Sequence, residues 1–124
     1  MIEEAYVSFE TAKLLKEKGF DENCLYIFHK DTNGLMPCNW HIRNSEIDND
    51  WGIALPTQQM AMRWLREVQK INIEIITYWT KDKNMVYGNR MVRNNVVLKE
   101  IDVSYYSYEQ AVEVAIKYCL ENLI

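Results

Sequence analysis

The stretch from Pro56 to Trp79 constrains this chain more than any other. Ala61, Trp64, Leu65 and Val68 recur at the i, i+3, i+4, i+7 spacing that draws one apolar stripe along a helix. Arg63, Arg66, Glu67, Gln69 and Lys70 fall mostly off that stripe. Thr57 offers a hydroxyl to the open amides of the first turn, and Pro56 keeps the helix from starting earlier. Then the period changes. Ile71, Ile73, Ile75, Thr77 and Trp79 alternate with Asn72, Glu74, Ile76, Tyr78 and Thr80, the two-residue repeat of a strand with one apolar face. Only a residue or two separates the periods, so helix and strand are expected to lie directly on each other.

The flanks read in the same terms. Ser8 caps a first helix running to about Lys18, with Phe9, Ala12 and Leu15 as its narrow apolar stripe and Lys13, Lys16 and Glu17 facing water. Gly19 suits the left-handed residue that ends a helix, with Phe20 folding back onto Leu15. Cys24 to His29 is a short strand apolar on both faces, and Asp31 to Gly34 a hairpin loop with Gly34 at positive φ. Leu35 to Ile42 is the return strand, and Pro37 confines it to an edge or a late start. From Asn44 to Leu55 nothing is periodic, which predicts a long loop anchored by Ile47, Trp51 and Ile53. Lys81 to Asn84 is a turn, Met85 to Val92 a strand with a muddled pattern around Gly88 and Asn89, and Asn94-Asn95 a tight turn into a strand ending at Tyr105. Ser107 with Gln110 has the capping-box spacing, opening a last helix with Ala111, Val112, Ala115, Ile116, Cys119, Leu120 and Leu123 on its inner side.

These signals predict a single α+β domain over residues 1–124, with a largely antiparallel sheet of four or five strands and three helices, in the order α-β-β-α-β-β-(β)-α. Trp64, Leu65, Ile73, Ile75, Leu15, Val112 and Cys119 are the expected core. At 124 residues the chain can bury such a core without covalent staples.

Charge and cysteine content narrow the function classes. A formal net charge of -4, from 18 acidic and 14 basic residues, disfavours broad contact with a phosphate backbone but leaves room for a local patch. Three cysteines, Cys24, Cys38 and Cys119, make no disulfide framework and suit a reducing compartment. The start, Met1-Ile2-Glu3-Glu4, has no positive segment with an apolar run behind it, and no apolar stretch reaches membrane length. A cytoplasmic protein without membrane partners is expected.

Four motifs invite chemistry. Cys24, His29, Cys38 and His41 are metal-ligand types, but Cys24 and His29 differ in strand parity and so do Cys38 and His41, so at most one from each strand converges. Glu46, Asp48 and Asp50 alternate like calcium ligands, yet Gly52 comes one place late and Thr57 stands where the closing Glu belongs. For nucleophilic catalysis the candidate pair is Cys38 with His41, or Cys24 with a histidine from elsewhere, and no nucleophile elbow, phosphate-binding loop or dinucleotide fingerprint is present. The expectation is therefore no enzyme, no metal and no cofactor. Arg63, Arg66 and Lys70, with Arg90 and Arg93, offer a basic strip beside Tyr78, Trp79 and Tyr87, the combination used to hold single-stranded nucleic acid. Against it, Glu67, four residues from Arg63, and Glu74 are expected to neutralise the strip, and Trp79 to belong to the core.

Several landmarks also recur together in a known family. They are Val7-Ser8-Phe9-Glu10-Thr11-Ala12 with Leu14-Leu15-Lys16-Glu17-Lys18-Gly19-Phe20, then Pro56-Thr57-Gln58-Gln59, Trp64-Leu65-Arg66-Glu67 leading to Ile71, and Tyr106-Ser107-Tyr108-Glu109-Gln110-Ala111 before the closing helix. In this order the chain resembles a family of small proteins of Bacteroidales-type gut bacteria, their phages and mobile elements, over nearly its whole length. It departs most between His29 and Ile53 and from Met85 to Asn95. The family has no assigned activity, so the resemblance implies a fold and a mobile-element setting and carries over no site residue.

The expectation that remains is an accessory protein acting through protein contacts or homo-oligomerisation. Eight tyrosines and four tryptophans are many for this size, and Trp40, Trp51, Tyr105 and Tyr106 fall in less regular segments, which makes them the interface candidates. Nucleic-acid binding through Arg63, Arg66 and Lys70 is the alternative, with a small enzyme or metal protein behind it.

Overall fold

The computed structural model of the chain describes residues 2–29, 34–47 and 51–124, with the side chains of 36, 38–40 and 102 outside the description. The elements are α1 (Phe9–Glu17), β1 (Cys24–His29), β2 (Leu35–Ile42), a 3-10 turn (Asn44–Glu46), β3 (Gly52–Leu55), α2 (Gln58–Glu67), β4 (Asn72–Trp79), β5 (Met85–Arg93), β6 (Val96–Tyr105) and α3 (Tyr108–Asn122). The α+β class with three α-helices agrees with the sequence. The sheet does not: in place of one sheet of four or five strands there are two antiparallel sheets of three, ordered β2-β1-β3 and β4-β5-β6. The chain divides into two compact units, Met1–Ala61 and Met62–Ile124, with the boundary inside α2.

In the first unit the Ser8 hydroxyl accepts from the Thr11 amide at 3.2 Å, capping α1. The helix ends as its sequence implied. Gly19 takes φ 93°, its amide reaches Lys16 O at 3.1 Å, and the Phe20 amide returns to Leu15 O at 2.9 Å. β1 is the central strand, so both its edges are paired. Pro37, which has no amide to donate, sits in the edge strand β2 opposite Tyr26.

The strand β3 lies where a long loop was expected. It runs antiparallel to β1 with Tyr26 opposite Leu55 and His29 opposite Gly52. Four residues are too few to show a period, and their strand character comes from the free edge of β1. Asn44 fixes the approach: its buried amide donates from Nδ2 to Phe20 O and accepts at Oδ1 from the Ala54 amide, each at 2.9 Å. One side chain thus ties the stop of α1 to β3. Leu15, Phe20, Ile27 and Leu55 fill the space between.

α2 is capped by Thr57, whose Oγ1 accepts from the Met60 amide at 3.1 Å. Ala61, Trp64 and Leu65 are buried, but Val68 is 54% exposed. The helix has ended at Glu67, and the chain turns away through Lys70 at φ 59° with the Ile71 amide on Leu65 O at 3.0 Å. Val68 therefore lies past the end of the predicted stripe.

In the second unit β4 and β5 pair without a break from Asn72–Val92 to Trp79–Met85. Asn94 and Asn95, at φ 52° and 62°, make the two-residue turn that joins β5 to β6. The Ser107 hydroxyl caps α3 by accepting from the Gln110 amide at 3.0 Å. α3 covers the face that carries Ile73, Met91 and Asn89, where Asn89 Nδ2 donates to Ala111 O at 3.0 Å. The muddled pattern of β5 has a physical reason on each face. Asn89 is buried to hold α3, and a Cβ at Gly88 would lie 2.8 Å from the Tyr78 hydroxyl.

Of the expected core, Leu15, Trp64, Leu65, Ile73, Val112 and Cys119 are buried, and Ile75 is half-buried. Trp79 departs furthest from its expected place, at 67% exposed. The first residue of α3, Tyr108, sets its ring edge-to-face on Tyr87, in the row shared with Thr77. Trp79 and Met85 form the next row on that face, beyond the start of the helix. The two-residue period continues past what the helix can cover.

Candidate functional site

The first unit holds a cleft of about 540 Å³ between α1 and the sheet. Phe9, Lys13 and Lys16 recur at helical spacing along α1, and Phe28 of β1 with Gly52 and Ile53 of β3 stand opposite. Phe9 and Phe28 meet edge-to-face with centroids 5.3 Å apart. Lys16 Nζ leans across to Gly52 O at 3.4 Å, while Lys13 and Glu17 stand exposed at the rim. Phe9, expected on the apolar stripe of α1, is partly open to this space. Sequence reasoning missed the cleft because its far wall is β3. The one available signal was Phe9 in register with two lysines on α1.

The basic strip is thinner than its sequence suggested. Arg90 is taken up by Glu74, with Nε 2.7 Å from Oε2, and Arg93 donates to Gln69 O at 3.0 Å. Tyr78 shares a hydrogen bond with the Ser104 hydroxyl at 3.0 Å, and Tyr87 meets Tyr108 edge-to-face. Arg63, Arg66 and Lys70 remain exposed on and just after α2. The expected Arg63–Glu67 pair is replaced by Arg66 Nε at 3.7 Å from Glu67, a neighbour along the chain, and Lys70 Nζ donates to Glu67 O at 2.8 Å.

The interface candidates separate. Trp51 is half-buried, its ring 6.0 Å from that of His29. Tyr105 is half-buried opposite Tyr87, whereas Tyr106 is 80% exposed. The Trp40 side chain lies outside the described residues. Trp79 and Met85, which sequence reasoning did not place at an interface, join Tyr106 among the exposed large apolar residues of the second unit.

The thiols are poor nucleophiles. Burial, and secondarily Glu22, pushes the Cys24 thiol up to about 12. Burial also pushes Cys119 up to about 12 against the opposing pull of Arg93. A thiol protonated at neutral pH neither attacks nor ligates readily. His41 is exposed, and the Cys38 side chain lies outside the described residues. Among the described residues no three His, Cys, Asp or Glu gather as a metal site would need. Of the calcium-like triplet, Asp48 and Asp50 lie outside the described residues, and Glu46 pairs with Arg43 at 3.3 Å. No described helix is long and apolar enough to cross a membrane. No protein-family model, curated protein or solved structure matches the chain.

Proposed function

We propose that the chain is a small cytoplasmic accessory protein that works by self-association through the open end of its second sheet. The observation that carries this reading is the exposed Trp79–Met85 cross-strand pair, with Tyr106 also exposed before α3. Large apolar and aromatic side chains left in water are the residues that interfaces bury. A second copy is the favoured occupant because the turn between Trp79 and Met85 carries Lys81, Asp82 and Lys83. Both signs lie on one short turn, so two copies related by a two-fold axis can set lysine against aspartate. The buried free thiols Cys24 and Cys119 suit a reducing compartment, and the phage- or element-derived setting rests on the family resemblance. Sedimentation velocity from micromolar to near-millimolar concentration tests the reading. A dimer that Trp79→Ser disperses without changing the circular dichroism supports it. A strict monomer overturns it.

A second reading, nucleic-acid binding, is favoured by one observation: the Glu67 carboxylate expected to neutralise Arg63 lies against Arg66 instead, leaving Arg63, Arg66 and Lys70 exposed. A titration with single- and double-stranded DNA and RNA at two salt concentrations decides it. Binding that falls steeply with salt and weakens with Arg66→Ala promotes this reading. No binding at low salt ends it.

A further inference from the structure

We infer that the cleft between α1 and the first sheet is a binding site for a small monoanionic amphiphile, a molecule with an apolar body and a carboxylate-like head. At about 540 Å³ the space falls within the roughly 300–1,000 Å³ of small-molecule pockets. Its walls and rim differ in chemistry. The edge-to-face rings of Phe9 and Phe28, with Ile53 beside them, form an apolar interior that water gains little by filling. Lys13 and Lys16 stand one helical turn apart at the mouth.

The head group follows from charge. Two ammonium groups against the single carboxylate of Glu17 leave one net positive charge among the described lining residues, which matches a monoanion better than a dianion or a neutral group. Lys16 makes one long bond to Gly52 O and keeps donors to spare, and Lys13 has no hydrogen-bond or ion-pair partner among the described residues. Both ammonium groups are thus available to a ligand without breaking a buried pair. Their aliphatic stems line the wall while their heads stay at the rim, the usual behaviour of long cationic side chains. The site belongs to the first unit and the sheet end of the proposed self-association to the second, and neither proposal depends on the other.

Decanoate, with decanol and decyltrimethylammonium as charge controls, tests the assignment below their micellar concentrations. Backbone amide NMR shifts are expected to move at residues 9–17, 28 and 51–53 with decanoate, and binding measured by calorimetry is expected to follow the order decanoate, decanol, decyltrimethylammonium. The double variant Lys13→Gln/Lys16→Gln, at two positions on the rim of the cleft, is expected to weaken decanoate about tenfold and leave decanol unchanged. Ile53→Glu, which places a carboxylate in the interior, is expected to abolish decanoate binding while the circular dichroism is retained. No shift in the cleft, shifts scattered over the chain, or equal affinity for all three compounds overturns the inference. So does a lysine double variant that binds decanoate as well as the parent. Flotation of the protein with anionic phospholipid vesicles at decanoate-free equilibrium would assign the head group to a membrane and overturn the free-ligand form.

Discussion

The two sheets have the same number of strands and are covered very differently. α1 has nine residues and buries Thr11, Ala12 and Leu15. α3 has fifteen and buries Ala111, Val112, Ala115, Ile116, Cys119 and Leu120. The longer helix covers the face that carries Ile73, Met91 and Asn89, while Trp79 and Met85 at the sheet end stay exposed, as do Val96, Val97 and Val103 of β6. The shorter helix leaves open the cleft that Phe9, Lys13, Lys16 and Glu17 line along its length, with Phe28, Gly52 and Ile53 opposite.

The contrast breaks most visibly under truncation of one large apolar residue from each helix. Ile116 is fully buried, so Ile116→Ala is expected to cost about 3–4 kcal/mol, the transfer loss plus an unfilled cavity. Phe9 is 38% exposed and borders open space, so Phe9→Ala is expected to cost only about 1–1.5 kcal/mol. Urea unfolding followed by circular dichroism gives both values. Equal costs would mean that α1 is as fully packed as α3 and that the cleft is closed in solution.

A buried asparagine in each unit makes the next comparison. Asn44 serves two partners, Phe20 O and the Ala54 amide, and its removal strands both. Asn89 serves Ala111 O, while its own Oδ1 is buried with no partner among the described residues. Asn44→Ala is therefore expected to cost about 3 kcal/mol and Asn89→Ala about 1–1.5 kcal/mol, since an unsatisfied atom leaves with the second side chain. Hydrogen exchange sharpens the difference. Asn44→Ala should release the amide of Ala54 and loosen β3, whereas Asn89→Ala should leave the β4–β5 ladder protected.

Asn44 also marks where the sequence stops being legible. Elements whose cause is local could be read: Ser8, Thr57 and Ser107 as caps, Gly19 with Phe20 as a stop, Asn94-Asn95 as a turn, and β1 and β2 as a strand pair. β3 has a distant cause. Gly52 to Leu55 is a strand because β1 has a free edge and Asn44 holds Ala54 in place, and neither fact is written in those four residues. The cleft inherits this blindness, because half its wall is β3. Trp79 illustrates the opposite error, a real two-residue period that outruns the helix above it. Of the interface candidates, Tyr106 was visible as an aromatic residue between elements, but Trp79 was hidden inside a convincing strand and Met85 at the start of a muddled one.

Helix stops give a smaller effect. α1 turns at a glycine with φ 93°, and α2 is followed by Lys70 with φ 59°. The left-handed region costs a residue with a Cβ about 1 kcal/mol relative to glycine. Gly19→Ala is expected to lose about 1 kcal/mol, and Lys70→Gly to gain about 0.5 kcal/mol, less than the full amount because the Lys70 Nζ bond to Glu67 O is given up. Thermal melts of the two variants should move in opposite directions. A destabilising Lys70→Gly would show that the lysine side chain matters more than its backbone strain.

The smallest effect at neutral pH, and the one shared by both units, belongs to the thiols. Cys24 in β1 and Cys119 in α3 are each raised from 9.0 to about 12, chiefly by burial. A raised thiol pKa means that the folded chain keeps a proton the unfolded chain gives up. Below pH 9 both states hold it and the linkage contributes its full stability. As pH climbs from about 9 toward 12 the unfolded state ionises first, so stability falls with rising pH over that window. Tyrosines and lysines titrate in the same range, so the slope must be read as a difference. Urea midpoints of the parent, Cys24→Val and Cys119→Val are expected to run parallel below pH 9, where the thiols bind the same protons folded and unfolded. Above it each variant should decline less steeply than the parent. Because the two cysteines sit in different units, the shallower slopes should also add in the double variant. A parent and double variant with superimposable pH profiles would mean that the thiols meet water in the folded chain, and that the core around β1 and α3 is more open than its burial implies.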